Sequence, residues 1–451
     1  MWLEWLDGYL RTMTETGTAR SHNYFRQIKG AVIYKAVAVV ASYIAVPMMI
    51  HYLGQEKFGI WSTLLSIISW IVFFDLGIGH GLRNKITESI ARNAREEAAR
   101  YIASGYTLIG LLALGLWIIL MAVSFFIPWQ IVFNTNMLPE GDLRLTMQLT
   151  ASFILFNFWT GLITALLNAV QKSSLLALRQ VISNILVLAL IWILSRTTTA
   201  SLPLLGIAYG VSLVLANLLL SGWFFQTYKD LKPHFSIEKQ HIHALLGAGS
   251  QFLIIQIGML VIFTTDKLLI TQLIGPASVT AYDVVFKLFG VLTFAHGLIC
   301  FPLWSAYADA YHRGDMTWIR RMLKKQLWFF VALWFFVGAM VFLAKPIIAL
   351  WIGTDIKVAD SVVLMMGIFV LITAWNNIYA MFVNGIGAIK PQLYAIFFGM
   401  IVNIPLSIFF VRHMDMGVSG IVLGTIFSLL LGAIVLPIQV YRILRREEKI
   451  G

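Results

Sequence analysis

Apolar residues in this chain neither mark one face of a helix nor alternate as in a half-buried strand; they run together in blocks of roughly 20. That is the length an α-helix needs to cross a hydrocarbon core about 30 Å thick. The blocks fall at 31–53, 58–81, 101–127, 147–169, 180–196, 204–226, 247–274, 279–303, 326–350, 361–385, 393–411 and 417–440. They are predicted as helices, because hydrocarbon offers no partner to a free backbone amide and the blocks are far too long for barrel strands. The pattern therefore predicts an all-α polytopic membrane protein of about twelve transmembrane helices.

Composition agrees: 59% of the 451 residues are hydrophobic and 12% are charged, against about 25% charged in a soluble domain. The single cysteine, Cys300, lies inside a block, which excludes an internal disulfide and a cysteine-based metal or redox pair. The net charge of +12 changes meaning once the basic residues are sorted by connection. Twenty-four of the 33 Lys and Arg fall on one side, in the segments around Arg26, Arg83–Arg100, Lys172–Arg179, Lys229–Lys239, Arg313–Lys325, Lys390 and Arg442–Lys449. The other side carries only Lys57, Arg144, Arg196, Lys357 and Arg412. By the positive-inside rule both termini are expected in the cytoplasm. The basic excess then reads as topology and lipid-surface charge, and nucleic acid is not expected as a partner. The first thirty residues contain Glu4 and Asp7 and have no uninterrupted apolar core, so they are read as a retained segment; Trp2, Trp5, Leu6, Tyr9 and Leu10 have the spacing of a short surface helix.

The connections are short, and the longest on the base-poor side, Pro128 to Thr146, has fewer than 20 residues. They hold no paired-carboxylate DxD element, no phosphate-cradling glycine loop with lysine and no His-Glu-x-x-His helix. His234, His241 and His243 lack the ligands that would complete a zinc site. No enzyme activity, cofactor or metal is expected. A shift of 221 residues places Gly54 on Gly275, Phe58 on Val279, Trp61 on Tyr282 and Asp75 on His296. This predicts two six-helix bundles related by a parallel repeat, with a substrate site between them. The expected division is a cytoplasmic segment 1–30, a first lobe 31–230, a connection 231–246, a second lobe 247–440 and a tail 441–451.

Charges inside spans carry the candidate chemistry, since each costs roughly 2.5–3.5 kcal/mol on insertion scales and so faces a partner or a watery cavity. Lys35 and Asp75 lie five and seven residues inside the same end of the first two spans, within about 3 Å in depth. Asp266 and Lys267 in the seventh span share the outer half of the membrane with Asp283 and Lys287 in the eighth. Two readings stand side by side. Asp283 and Lys287 form an i, i+4 pair that neutralises itself, or Lys267 and Lys287 draw an anion into a cavity while Asp266 or Asp283 takes a proton or sodium ion. Asp75 and Arg83 are a helix-end cap with a snorkelling arginine, or part of that cavity. Asn376 and Asn377 in the tenth span line the cavity or bond a neighbouring helix.

The stretch Leu53-Gly54, Phe58-Gly59-Ile60-Trp61, Phe74-Asp75-Leu76-Gly77-Ile78-Gly79 and Gly81-Leu82-Arg83-Asn84-Lys85 resembles the first helix pair of Wzx-type oligosaccharide flippases. These belong to the superfamily of multidrug, oligosaccharidyl-lipid and polysaccharide exporters. The likeness in motif is strongest over 30–100 and weaker over 247–315. It implies an inner-membrane flippase working by alternating access on a polyprenyl-pyrophosphate-linked oligosaccharide, with membrane lipids around it and glycan polymerase or ligase machinery as neighbours. It further implies a cationic cavity, and the matching motif carries over Asp75, Gly77, Gly79, Arg83, Asn84 and Asp266. Joined to the residues read above, the candidate site is the cations Lys35, Arg83, Lys267 and Lys287, the acids Asp75, Asp266 and Asp283 for ion coupling or structure, and Gly77, Gly79, Asn84, His296, Asn376 and Asn377 for cavity or packing. A proton or sodium ion would be the only coupling species. The rivals are an ion-coupled multidrug exporter, which favours an acidic cavity, and a peptidoglycan-precursor flippase, whose family generally has two more helices. A membrane glycosyltransferase is disfavoured by the short loops.

Overall fold

The computed structural model describes residues 19–71, 78–233 and 250–447. In chain order the helices are α1 (Ala19–Leu53), α2 (Gln55–Ser69), α3 (Ile78–Ala91), α4 (Arg95–Ser124), α5 (Trp129–Val132), α6 (Glu140–Thr160), α7 (Ile163–Ala169), α8 (Ser173–Thr197) and α9 (Leu202–Thr227). They continue as α10 (Ser250–Leu273), α11 (Pro276–Cys300), α12 (Leu303–His312), α13 (Met316–Trp351), α14 (Asp360–Gly385), α15 (Lys390–Arg412) and α16 (Gly417–Glu447). Among the described residues no strand occurs, and ten helical stretches are long and apolar enough to cross a membrane. The seventh predicted span coincides with α10, whereas of the second, 58–81, α2 covers 58–69 and α3 covers 78–81, with 72–77 outside the described residues. The protein is therefore an all-α, multi-pass membrane protein.

The chain forms two compact units. Among the described residues the first takes in 19–52, 78–127 and 141–233. Its core joins Ile78, Leu82 and Ile86 of α3 to Ile102 and Ile109 of α4, Ile163 and Leu166 of α7, and Phe224 of α9. Gly105 lets α4 approach closely, since a Cβ there would stand 2.9 Å from a Leu82 methyl. Polar ties reinforce the apolar contacts: Asn184 donates to the Ala38 carbonyl at 2.7 Å, and the Tyr52 hydroxyl meets the Thr198 hydroxyl at 2.9 Å.

The second unit takes in 53–71, 128–140 and 251–447 of the described residues. Here the structure differs from the expected division, which placed all of 31–230 in one lobe. Helix α2 packs on α11 at van der Waals distance because Gly59 has no side chain: a Cβ there would lie 1.8 Å from the Pro276 carbonyl oxygen. Hydroxyls complete the seam, with Thr63 and Thr271 Oγ1 atoms 2.7 Å apart and Ser66 donating to the Thr264 carbonyl. The segment around α5 is held to α10 by Asn134, which donates to the Thr271 carbonyl at 3.1 Å, and by Gln272, which donates to Ile131 at 2.7 Å. Small residues bring α15 and α16 together, where a Cβ on Gly424 would sit 2.3 Å from Ser407 Oγ, the close-approach packing favoured between membrane helices.

Candidate functional site

Asp266 and Lys267 are consecutive on α10 and so point about 100° apart around the helix. The packing of the second unit gives each a different neighbourhood. Asp266 is buried, 3% exposed. Its Oδ2 accepts from the Tyr282 hydroxyl of α11 at 3.0 Å, and its Oδ1 accepts from Thr425 of α16 at 2.9 Å. Behind it Asn403 of α15, fully buried, donates to Thr425 Oγ1 at 3.2 Å and accepts from Thr265 Oγ1 at 3.2 Å. The carboxylate is thus held by two hydroxyls inside a ring of oxygen-bearing side chains drawn from four helices.

Lys267 turns toward α2 and α11. Its ammonium donates to Ser62 Oγ at 2.8 Å and to Asp283 Oδ1 at 2.5 Å. The other carboxylate oxygen of Asp283 lies 3.8 Å from Lys287 Nζ, with the Asp283 side chain 3% exposed and that of Lys287 36% exposed. Both sequence readings of Asp283 therefore hold part of the answer. The i, i+4 pair with Lys287 exists, but the tighter partner is Lys267 across the helix seam. Two lysines meet at one buried acid, each on a side chain that is partly exposed.

Lys35 is exposed on α1, and Arg83 and Asn84 are exposed on α3, all in the first unit. Gly79 is half-buried there. Asp75 and Gly77, and with them the proposed Lys35–Asp75 pair, lie outside the described residues, as do His234, His241 and His243. Around Arg83 the surface of α3 is charged, and Lys85 hydrogen-bonds Glu88 at 3.1 Å. That bond, with the charge of Arg92, holds the Glu88 carboxyl below its ordinary range. His296 is buried against Cys300, with Sγ 3.4 Å from Nε2. Asn376 donates to the Leu429 carbonyl of α16 at 3.2 Å, a helix-to-helix bond; Asn377 beside it is half-buried.

Three residues escaped the sequence reading. Tyr282, Asn403 and Thr425 are neutral polar groups in apolar blocks, where Thr and Tyr are common enough to carry no signal alone. Arg179, grouped above with the connection cations, lies six residues inside α8 and donates to Asn217 Oδ1 of α9 at 3.1 Å.

The fold is that of a membrane transporter. A solved inward-facing multidrug resistance MATE family transporter of the MOP superfamily superposes with a TM-score of 0.74 at 15% identity, covering 93% of this chain and 99% of that one. An outward-facing structure of such a transporter gives 0.65 at 16% identity, covering 94% and 96%. Residues 252–409 match the MatE family. Residues 29–305, more than half the chain, match the family described as polysaccharide biosynthesis protein, and the chain belongs to that family. It is similar to a Salmonella typhimurium protein provisionally named an O-antigen transporter, 25% identical over 85% of this chain and 88% of that protein. A Yersinia pseudotuberculosis protein, provisionally named for O-antigen export, is 21% identical over 88% and 91%.

Proposed function

We propose that the protein is a flippase of the inner membrane. It moves a polyprenyl-pyrophosphate-linked oligosaccharide, such as an O-antigen repeat unit, from the cytoplasmic to the outer leaflet by alternating access and without covalent chemistry. Family membership and the names of the relatives support the substrate class. The observation that carries the reading from the structure is the gathering of Lys267 and Lys287 about Asp283 at membrane depth. Two ammonium groups brought together there suit a pyrophosphate better than the cationic drugs that a multidrug exporter moves. The basic excess on alternate connections supports cytoplasmic termini.

Asp266 has a separate part. A carboxylate that meets hydroxyls rather than an ammonium keeps oxygen lone pairs for a proton or a sodium ion, and hard cations take oxygen ligands. Asp266, Thr425 and Tyr282 supply such oxygens, so Asp266 is the proposed coupling site and Asp283 the structural acid. In proteoliposomes, a fluorescent polyprenyl-pyrophosphate oligosaccharide should become accessible to a membrane-impermeant glycosidase only when the protein is present. An Arg83→Ala, Lys287→Ala double variant should abolish this access, and Arg83→Lys should retain more than Arg83→Ala. Unchanged sidedness with folded protein and an imposed ion gradient would reject the reading and make cation efflux the next assay.

A further inference from the structure

Arg179 is a cation the flippase scheme above does not use. It sits six residues inside α8, and α8 and α9 are packed antiparallel across a connection of four residues, 198–201. Counting from that connection, Arg179 is about 27 Å away along its helix and Asn217 about 22 Å along α9, at 1.5 Å per residue. The guanidinium therefore reaches about 5 Å farther into the span to meet Asn217. An interfacial arginine does the reverse: it snorkels to the nearer helix end, and the helical tilt of Cα–Cβ bonds toward the N-terminus would assist that here.

What it meets is neutral. Asn217 is fully buried, and its amide nitrogen donates to the Asn157 side-chain oxygen at 3.0 Å and to Thr160 Oγ1 at 3.1 Å. The nitrogen also lies 3.4 Å from the Asn157 carbonyl, a group that can only accept. This contact fixes which way the amide points, so Asn217 Oδ1 faces Arg179. The amide oxygen takes one of the five N–H groups of the guanidinium. The Arg179 Nε–H is shut off from solvent and finds no acceptor. No carboxylate among the described residues lies within ion-pair distance of Arg179. Arg179 and Asn157 remain partly exposed, so a ligand would meet the terminal N–H groups of the guanidinium and not the enclosed Nε–H.

An under-satisfied guanidinium at membrane depth offers a planar fork for phosphoryl oxygens. We infer that Arg179, oriented by the Asn217 amide, is a binding site for a phosphoryl oxyanion carried on a lipid, within the first unit. The site lies outside the lysine cluster, and only the choice of an isoprenyl pyrophosphate as its ligand rests on the flippase reading. A phospholipid headgroup offers the same chemistry, so the test must separate the two.

The probes are geranylgeranyl pyrophosphate, geranylgeraniol and phosphatidylglycerol, each titrated against the purified full-length protein in detergent and read by native mass spectrometry. Arg179→Met should weaken geranylgeranyl pyrophosphate binding at least tenfold and leave the alcohol unchanged, while Arg179→Lys recovers part. Asn217→Asp provides a second contrast: the new carboxylate should capture the guanidinium, so that binding falls as in Arg179→Met, while loss of the amide donor to Asn157 and Thr160 should lower the thermal midpoint without abolishing folding. A residue with only a packing role would show no loss of binding in Asn217→Asp. Arg179 dependence that appears for phosphatidylglycerol and not for the pyrophosphate keeps the oxyanion site and assigns it to membrane lipid. Unchanged affinity for both phosphorylated probes in folded Arg179→Lys and Asn217→Asp overturns the proposal, even where Arg179→Met fails to fold. If wild-type protein fails to flip the glycan lipid yet binds through Arg179, the flippase reading alone falls; if it flips normally and these variants bind normally, this site alone falls.

Discussion

At the scale of single residues, the two lysines around Asp283 are not equivalent. Lys267 donates at 2.5 Å from a side chain 24% exposed, whereas Lys287 stands 3.8 Å away and 36% exposed. Removing Lys267 leaves a buried carboxylate with Ser62 and the more distant Lys287, and breaking a buried pair this way costs about 3–5 kcal/mol. Removing Lys287 deletes a looser i, i+4 contact worth about 0.5 kcal/mol. Lys267→Ala should therefore lower the thermal midpoint sharply in detergent and Lys287→Ala hardly at all, although both should impair transport. Equal midpoints would show that the seam does not depend on the short pair. Asp266→Asn makes a different prediction. An asparagine can still accept from Tyr282, and its nitrogen can donate to Thr425 Oγ1, so folding should change by about 1 kcal/mol or less. What disappears is the charge, and stimulation of flipping by an imposed proton or sodium gradient should vanish with it. A gradient response that survives in Asp266→Asn would move the coupling site elsewhere. The charges themselves were legible in the sequence, because an ionised side chain in an apolar block is costly enough to stand out. Their partners were not, because Thr425 is 159 residues from Asp266 and no local pattern marks that distance.

Individual helices divide along the same line. Blocks of about 20 apolar residues announce membrane helices because the bilayer imposes their length, and the described helices follow the predicted spans closely. The repeat signal has a local physical basis at one point: Gly54 and Gly275, 221 apart, both sit at a helix start with positive φ, 77° and 128°. Those are backbone conformations a side chain rarely adopts. The lodging of α2 with α10 and α11 was invisible, since glycine in an apolar block signals close approach without naming the neighbour. The structure names it, and a substitution can test it. A methyl at Gly59 would overlap the Pro276 carbonyl, 1.8 Å away, and backbone cannot move aside as a side chain can. Gly59→Ala should destabilise the second unit by about 1–3 kcal/mol or more through overpacking. Gly338→Ala, a position with nothing within 4 Å, should be neutral or slightly stabilising by the helix propensity of alanine. Similar melting of the two variants would contradict the close approach of α2 to α11.

For the whole molecule, α2 is the element whose allegiance bears on transport. The chain enters it from α1 and leaves it toward α3, both of the first unit, yet its side chains pack within the second. Any motion of one unit against the other must either carry α2 along with the second or break its hydroxyl seam. Those bonds are suited to breaking: Thr63 with Thr271 and Ser62 with Lys267 are polar contacts that water can replace, and a net intramolecular hydrogen bond is worth only about 0.5–1.5 kcal/mol. The Oγ atoms of Thr63 and Thr271 are 2.7 Å apart, so cysteines at both positions would bring their sulfurs near the 2.05 Å of a disulfide. In a Cys300→Ala background, oxidation of Thr63→Cys, Thr271→Cys should reduce flipping in proteoliposomes below about a tenth of the reduced protein, with recovery on adding a thiol. The matching control joins α13 to α14 through Val341→Cys and Gly367→Cys, where a Cβ on Gly367 already lies 2.8 Å from a Val341 methyl. Unlike α2, these helices are flanked along the chain by helices of the second unit only, so that cross-link should leave flipping intact. Full activity of the oxidised α2–α10 cross-link would mean that α2 travels with the second unit throughout the cycle, and the seam would then be architecture rather than a gate.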